Sequence, residues 1–205
     1  AVINNLILLG WSPKNKNEII NISEIINLFE IKKLSKSSSI FNYNKLNFFN
    51  NYYIRNSKGY DEFYKFILTN NKLKNFNEID KEKLEKIFHV YKKDLNNFNE
   101  LLDVVDLYYD NNFKVNTDKI FSKEFNLICK DFVDIISKID DWSRDNIQKN
   151  IENFLKMKKL KFPVLGKPTR FLLINSYNGP SITDIFIILG KKDSIDRLNQ
   201  YIEKI

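Results

Sequence analysis

The stretch from Phe121 to Leu155 reads FSKEFNLICKDFVDIISKIDDWSRDNIQKNIENFL, and its apolar residues recur every three to four positions. Phe121, Phe125, Ile128, Phe132, Ile135 and Ile139 make one stripe. Ile147, Ile151, Phe154 and Leu155 make another beyond Ser143, so two consecutive amphipathic helices are predicted, with Ser143 as cap of the second. The same period continues outward. Asn21, with Glu24 three residues on, is a capping arrangement for a stripe of Ile22, Ile25, Ile26 and Phe29. Asp80 precedes one long run with Leu84, Ile87, Phe88, Tyr91, Leu95, Phe98, Leu102 and Val105 on a single face, supported by Glu82 and Lys86 one turn apart. Ser181-Ile182-Thr183-Asp184 predicts a helix start and Gly190 its end. Strand-like alternation is confined to Phe171 through Ile174. The expected fold class is therefore all-α, with breaks near Asn56 to Gly59 and Asp110 to Asp118 as joints between parts.

Composition agrees with a folded protein. Of 205 residues 43% are apolar and 14% aromatic, enough for one large core or two to three small ones despite a net charge of +7. The single cysteine, Cys129, excludes an internal disulfide framework and fits a reducing compartment. No apolar run approaches the roughly 18 to 20 residues of a membrane span, and no basic leader precedes a cleavage site, so the expected location is cytoplasmic, or organellar after processing, with no membrane partner. One alanine against about thirty asparagines, spread evenly, reflects base composition rather than function.

The inventory excludes several chemistries. His89 is the only histidine, which rules out any site needing two imidazoles; its setting in Ile87-Phe88-His89-Val90-Tyr91 predicts a structural residue beside a core face. Five scattered glycines form neither a GxGxxG nor a GxxxxGK[ST] phosphate loop. Glu100, Asp103, Asp106 and Asp110 share a helix face, and with no histidine or glycine turn beside them they are expected to be solvated. No catalytic residue and no metal ligand is expected. Charge is uneven in one place: no acidic residue lies between Glu152 and Asp184, while Lys156, Lys158, Lys159, Lys161, Lys167 and Arg170 do. With Phe162, Phe171, Tyr177 and the turn Asn178-Gly179-Pro180 interleaved, this mixture suits phosphates and unpaired bases. It equally suits a solvated lysine face, and composition alone does not choose.

Two stretches carry a resemblance. Asn5 to Pro13 (NLILLGWSP) is followed by Leu28-Phe29, Ser35-Lys36-Ser37, Phe41, Lys45-Leu46, Asn50 and Tyr53-Ile54-Arg55. Val90 to Leu95 continues the series, and Pro168-Thr169-Arg170, Gly179-Pro180, Ile188-Leu189-Gly190-Lys191 and Arg197-Leu198 close it. In order and spacing this resembles the bacterial-type glutamyl-tRNA synthetases, in which the Gly-Trp-Ser segment follows the ATP-binding domain. The resemblance implies a C-terminal part of such an enzyme. Residues 1–56 would be a tRNA stem-contact region, and 57–116 and 117–205 the two subdomains of an elongated anticodon-binding domain. It also implies a parent glutamate–tRNA ligase that uses ATP and Mg²⁺, whereas these 205 residues would hold no cofactor and be inactive alone. The implied partners are the tRNA for glutamate, the tRNA for glutamine as well, and the N-terminal catalytic domain, in a monomer.

By the same resemblance, Arg170 and the turn Gly179, Pro180, Ser181 and Ile182 correspond to positions that touch the first two anticodon bases, and the lysines of the basic stretch neutralise phosphates. A helix at Lys92-Lys93-Asp94 falls where an arginine contacts the third base in members that charge only glutamate tRNA. The residue in that place is Asp94, or Lys93 on a one-residue shift. After Arg170 the family's Ala-Leu-Thr-Gly-like stretch is replaced by Phe171-Leu172-Leu173-Ile174-Asn175. Lys33 to Ser37 literally matches a KMSKS-type loop, but it stands where the family has a separate Ser-Lys-Ser, and the HIGH partner motif needs two histidines. Two other classes compete: a non-catalytic helical nucleic-acid-binding or scaffold protein, and a self-contained nucleotide-using enzyme built on Lys33 to Ser37.

Overall fold

A computed structural model describes residues 1–13, 17–56, 58–69, 80–116 and 121–205. Among them are ten α-helices, one short 3₁₀ turn and no strand, so the all-α expectation holds. The chain divides into two compact units, Ala1–Leu73 with Lys92–Leu102, and Lys74–Tyr91 with Asp103–Ile205.

The first unit holds α1 (Val2–Gly10), α2 (Ile22–Leu28), the 3₁₀ turn Ile31–Lys33, α3 (Tyr43–Arg55) and α4 (Gly59–Thr69). Trp11, Ile20 and Ile25 form a buried cluster under Ile7, Leu8 and Phe29. Asn4, itself buried, supplies the polar pin: its side-chain oxygen accepts from the Ile20 amide at 3.1 Å and the Tyr53 hydroxyl at 2.9 Å, joining α1 to α3. The expected cap at Asn21 forms, its oxygen accepting from the Glu24 amide at 2.8 Å, an arrangement that contributes about 1 kcal/mol. Asn56 to Gly59 breaks the helix between α3 and α4, which both lie in this unit.

The long run after Asp80 is not one helix. It splits into α5 (Lys81–Tyr91) and α6 (Asn99–Tyr109), separated by the segment 92–98. Asn51 on α3 donates to the carbonyls of Lys93 at 3.1 Å and Leu95 at 2.7 Å, which an unbroken helix would use internally. Asn97 accepts from the Glu100 amide at 3.3 Å while the Glu100 carboxylate accepts from the Asn96 amide at 2.9 Å, a reciprocal cap that restarts the helix. Phe98 packs against Phe63 at 5.4 Å between ring centroids. The apolar period survives the break, which is why the pattern reads as continuous.

The second unit packs α5 and α6 from Asp103 onward with α7 (Lys123–Ser137), α8 (Arg144–Lys158), α9 (Phe162–Ile174) and α10 (Ile182–Ile202). Both stripes quoted above become buried faces: Phe125, Ile128 and Phe132 on α7, Ile147, Ile151 and Phe154 on α8. Ser143 precedes α8 but does not cap it; its hydroxyl donates to Asp141 at 3.0 Å instead. Phe171 to Ile174 is the last turn of α9, not a strand. All four side chains are buried, and a helix end buried on every side carries consecutive apolar residues. Gly190 ends the first of two helices that meet at a kink within Ile182–Ile202, as expected. At φ +79° it kinks α10, with open space where a Cβ would lie, so backbone conformation rather than room requires glycine. His89 lies on the exposed side of α5, where it faces Glu85 at 3.5 Å, because Leu84, Ile87 and Phe88 occupy the buried side. Burial pushes the Cys129 thiol up to about 12, which leaves it inert.

Beyond the kink, α10 presents Arg197 to the core at 4% exposure. Its guanidinium donates to the Leu173 carbonyl at 2.7 Å and the Leu107 carbonyl at 2.9 Å and lies 3.8 Å from the Phe113 ring centroid, so one side chain joins α10 to α9, α6 and the segment after α6. Gln200, one turn on, grips the same segment through the Val115 amide and the Phe113 carbonyl. Burial draws the Arg197 guanidinium down to about 10, so it stays charged at neutral pH. Replacing Arg197 by methionine removes the donors of two helix-end carbonyls. A loss of about 2 to 4 kcal/mol is expected, read as a lower urea midpoint, with Arg197→Lys recovering less than half because an ammonium lacks the planar fork.

Candidate nucleic-acid interface

The loop between α9 and α10 is built by its flanking helices. Asn175 ends α9 in the left-handed conformation at φ 52°, with its amide group bridging the Lys114 carbonyl and the Asn116 amide, both at 2.9 Å. Arg170, one turn before the end of α9, reaches across the loop. Its Nε donates to the Pro180 carbonyl at 2.8 Å and its Nη1 to the Tyr177 carbonyl at 2.9 Å. Gly179 sits at φ +138° with a would-be Cβ only 3.3 Å from Ile174, so glycine is required by both backbone and space. Ser181 caps α10, accepting from the Asp184 amide at 3.0 Å, and Asp184 pairs with Arg144. Ser176 bonds both the amide and the carbonyl of Asn178. The loop is thus held at each end and in the middle. Of the five N–H groups of Arg170 two are spent on the loop, leaving three for a ligand.

These contacts bring Arg170, Gly179, Pro180 and Ser181 together. Ile182, the first residue of α10, is buried at 1% exposure. Its side chain belongs to the core, and only a backbone N–H at the helix start is left to offer. The Arg170 charge also reaches Tyr91, where it opposes the upward push that burial gives that hydroxyl.

The basic stretch is less uniform than its sequence. Lys156, Lys159, Lys161 and Lys167 are exposed. Lys159 takes the left-handed position that ends α8, and Lys161 is the N-cap position of α9. Lys158 is half-buried, 2.5 Å from the Asp131 carboxylate and 6.0 Å from the Phe154 ring centroid. Its counter-charge comes from α7, so the absence of acidic residues between Glu152 and Asp184 is a property of the sequence and not of the surface. Lys93 and Asp94 are exposed and lie in the turn after α5 rather than in a helix, and they belong to the first unit. Tyr177 was not among the sequence-derived contacts although its ring is 41% exposed on the loop; the signal was its place in the aromatic–basic mixture. Among the described residues no group of three or more His, Cys, Asp or Glu is placed to hold a metal ion.

A family model described as an anticodon binding domain matches residues 61–202. The chain belongs to that family. Beyond the match, the chain is 34% identical over 206 aligned residues to the glutamate–tRNA ligase of Wigglesworthia glossinidia brevipalpis and 30% identical to that of Mycoplasma mycoides, each covering 97% of the chain. It spans 42% of the length of these curated relatives. A crystal structure of a glutamate tRNA ligase from Elizabethkingia meningosepticum superposes with a TM-score of 0.81 at 26% identity, covering 98% of this chain and 40% of that one. The resemblance to glutamyl-tRNA synthetases thus holds along the whole chain. No helix among the described residues is long and apolar enough to cross a membrane.

Arg170 sets the loop between α9 and α10. In Arg170→Met, hydrogen exchange at the Gly179 and Ser181 amides should accelerate by more than tenfold while the core of α7 and α8 keeps its protection; unchanged exchange at the loop would mean that the two bonds do not hold it.

Proposed function

We propose that the chain is the tRNA-recognition portion of a glutamate–tRNA ligase, whose remaining part activates glutamate with ATP and Mg²⁺ and transfers it to the tRNA. The carrying observation is the loop Tyr177 to Ser181, fixed by Arg170 with the exposed Lys167 one turn before it on α9, in a chain of the anticodon-binding family. An unpaired anticodon loop needs that combination: rigid polar groups for base edges and mobile cations for phosphates. Within it, residues 1–56 take the stem-contact role and 57–116 and 117–205 the two anticodon-binding subdomains. Arg170 and the Gly179–Pro180–Ser181 turn meet the first two anticodon bases, with Ile182 offering its backbone alone. The partner for the first unit is the catalytic part. Val2, Ile3, Leu6, Ile26, Ile31 and Ile40 are each more than half exposed, more apolar surface than water favours. The chain acts as a monomer in the cytoplasm.

Binding of glutamate tRNA by the chain, followed against salt, tests the reading. With about four phosphates neutralised, log K should fall with log[salt] at a slope of roughly −3 to −4, and Lys156→Ala should reduce that slope by about 0.7 to 0.9. Lys158→Ala should barely change it, since Lys158 is committed to Asp131. Binding no tighter than to heparin would favour the scaffold reading.

Third-base discrimination is expected to be weak. An arginine distinguishes C from G through a fixed donor fork, whereas an ionised carboxylate offers acceptors only. Asp94 is exposed, and the Lys93 carbonyl is occupied by Asn51 and Arg55. The full ligase should therefore also charge glutamine tRNA. A preference for glutamate tRNA above about a hundredfold, roughly 2.7 kcal/mol, would rule this out.

A further inference from the structure

We propose that Tyr177 is a stacking platform for one unpaired nucleobase. The proposal rests on the tRNA-recognition reading and adds to it a residue and a mode of contact. Three observations carry it. Tyr177 is 41% exposed in the middle of the loop, and among the other described aromatic residues of the second unit Phe162 alone, at 43%, is comparably open. One of its faces is backed by Phe171, with centroids 4.7 Å apart and planes 31° from parallel, which leaves the opposite face for a further ring. Phe171 is itself fixed, 5% exposed and edge-on to Phe121 at 5.8 Å. Finally, the Tyr177 carbonyl is the acceptor of Arg170, so the backbone that carries the ring is held before any ligand arrives.

The chemistry of the occupant follows from these contacts. A flat partner of ring size is favoured, because the tilted pair of Phe171 and Tyr177 is extended best by another planar face. The unspent N–H groups of Arg170 and the exposed Lys167 one turn earlier add donors and positive charge beside it, which suits a nucleobase still attached to its phosphates. An apolar peptide would meet the ring equally well but would leave the unspent N–H groups of Arg170 without an acceptor. Stacking tolerates any base, so Tyr177 contributes affinity and orders the loop, and base choice is left to the polar groups around Gly179 to Ser181.

The test uses the full chain and an anticodon stem-loop RNA of glutamate tRNA carrying 2-aminopurine at each loop position in turn. Tyr177→Leu keeps apolar contact with Phe171 but has no π face; it should weaken binding by about 5- to 100-fold and relieve fluorescence quenching at one loop position. Tyr177→Phe should bind within about twofold of the native chain. Because the lost contact is uncharged, the salt slope should be the same in both variants, unlike that of Lys156→Ala. Tyr177→Leu binding as tightly as the native chain, with every position still quenched, would overturn the stacking role and leave the tRNA reading intact. A tenfold loss in Tyr177→Phe would also overturn it, in favour of a hydroxyl contact. If the native chain does not prefer the stem-loop over an unrelated hairpin, the tRNA reading itself fails, and the platform with it.

Discussion

The second unit depends on a charge that has been taken out of water. Arg197 would be costly where it lies unless its N–H groups found acceptors, and it finds them in the carbonyls of Leu173 and Leu107, with the Phe113 ring against its plane. Those acceptors are helix-end carbonyls that have no partner of their own, so one residue answers two problems: its own desolvation and the unfinished ends of α6 and α9. The arrangement works only because α10 bends at Gly190. The kink lets residues before it cap and bury the loop end at Ser181 and Ile182 while residues after it turn Arg197 and Gln200 toward the segment 113–115.

That fixed end of α9 is what positions the loop. Leu173 is bound by Arg197, and Arg170, one turn earlier on the same helix, is thereby placed to reach Tyr177 and Pro180. The two arginines have different tasks. Arg197 is buried and spends its donors on the fold, whereas Arg170 is half-buried and spends two, keeping the rest for the surface. Rigidity at such a loop lowers the ordering cost that a flexible loop would meet on binding. Lys156, Lys159, Lys161 and Lys167 are the opposite, exposed on the surface, as suits non-directional attraction to phosphate.

Much of this was legible from residue spacing. The stripes from Phe121 to Leu155 supply buried faces of α7 and α8, the run from Ile22 is a helix although Ile25 alone of its stripe is buried, and the Asn21 and Ser181 caps form, because helix period and capping are local and need only residues three or four apart. The loop itself was marked by its glycine, proline and flanking arginine. What failed did so where another group took a hydrogen-bonding partner, or where burial on every side hid the helical period. Asn51 takes the Lys93 and Leu95 carbonyls and divides an apparently continuous helix. Asp141 takes the Ser143 hydroxyl from its cap. Phe171 to Ile174 looked extended only because a helix end buried all round shows no polar face.

The sequence by itself therefore determined the all-helical class, several helix starts and the family, since these rest on local period, local capping and ordered motifs. Tertiary structure decided which charges are available and which are used. Asp131 on α7 removes Lys158 from a stretch that reads as uniformly basic, and Leu173 and Leu107 turn Arg197 from a surface cation into a core fastening. Phe171 backs Tyr177 and leaves one ring face open. The physical reason is common to all three: a side chain's partner is set by proximity in space, and helices that pack together bring within 3 Å residues that the sequence keeps 24, 27 or 90 positions apart.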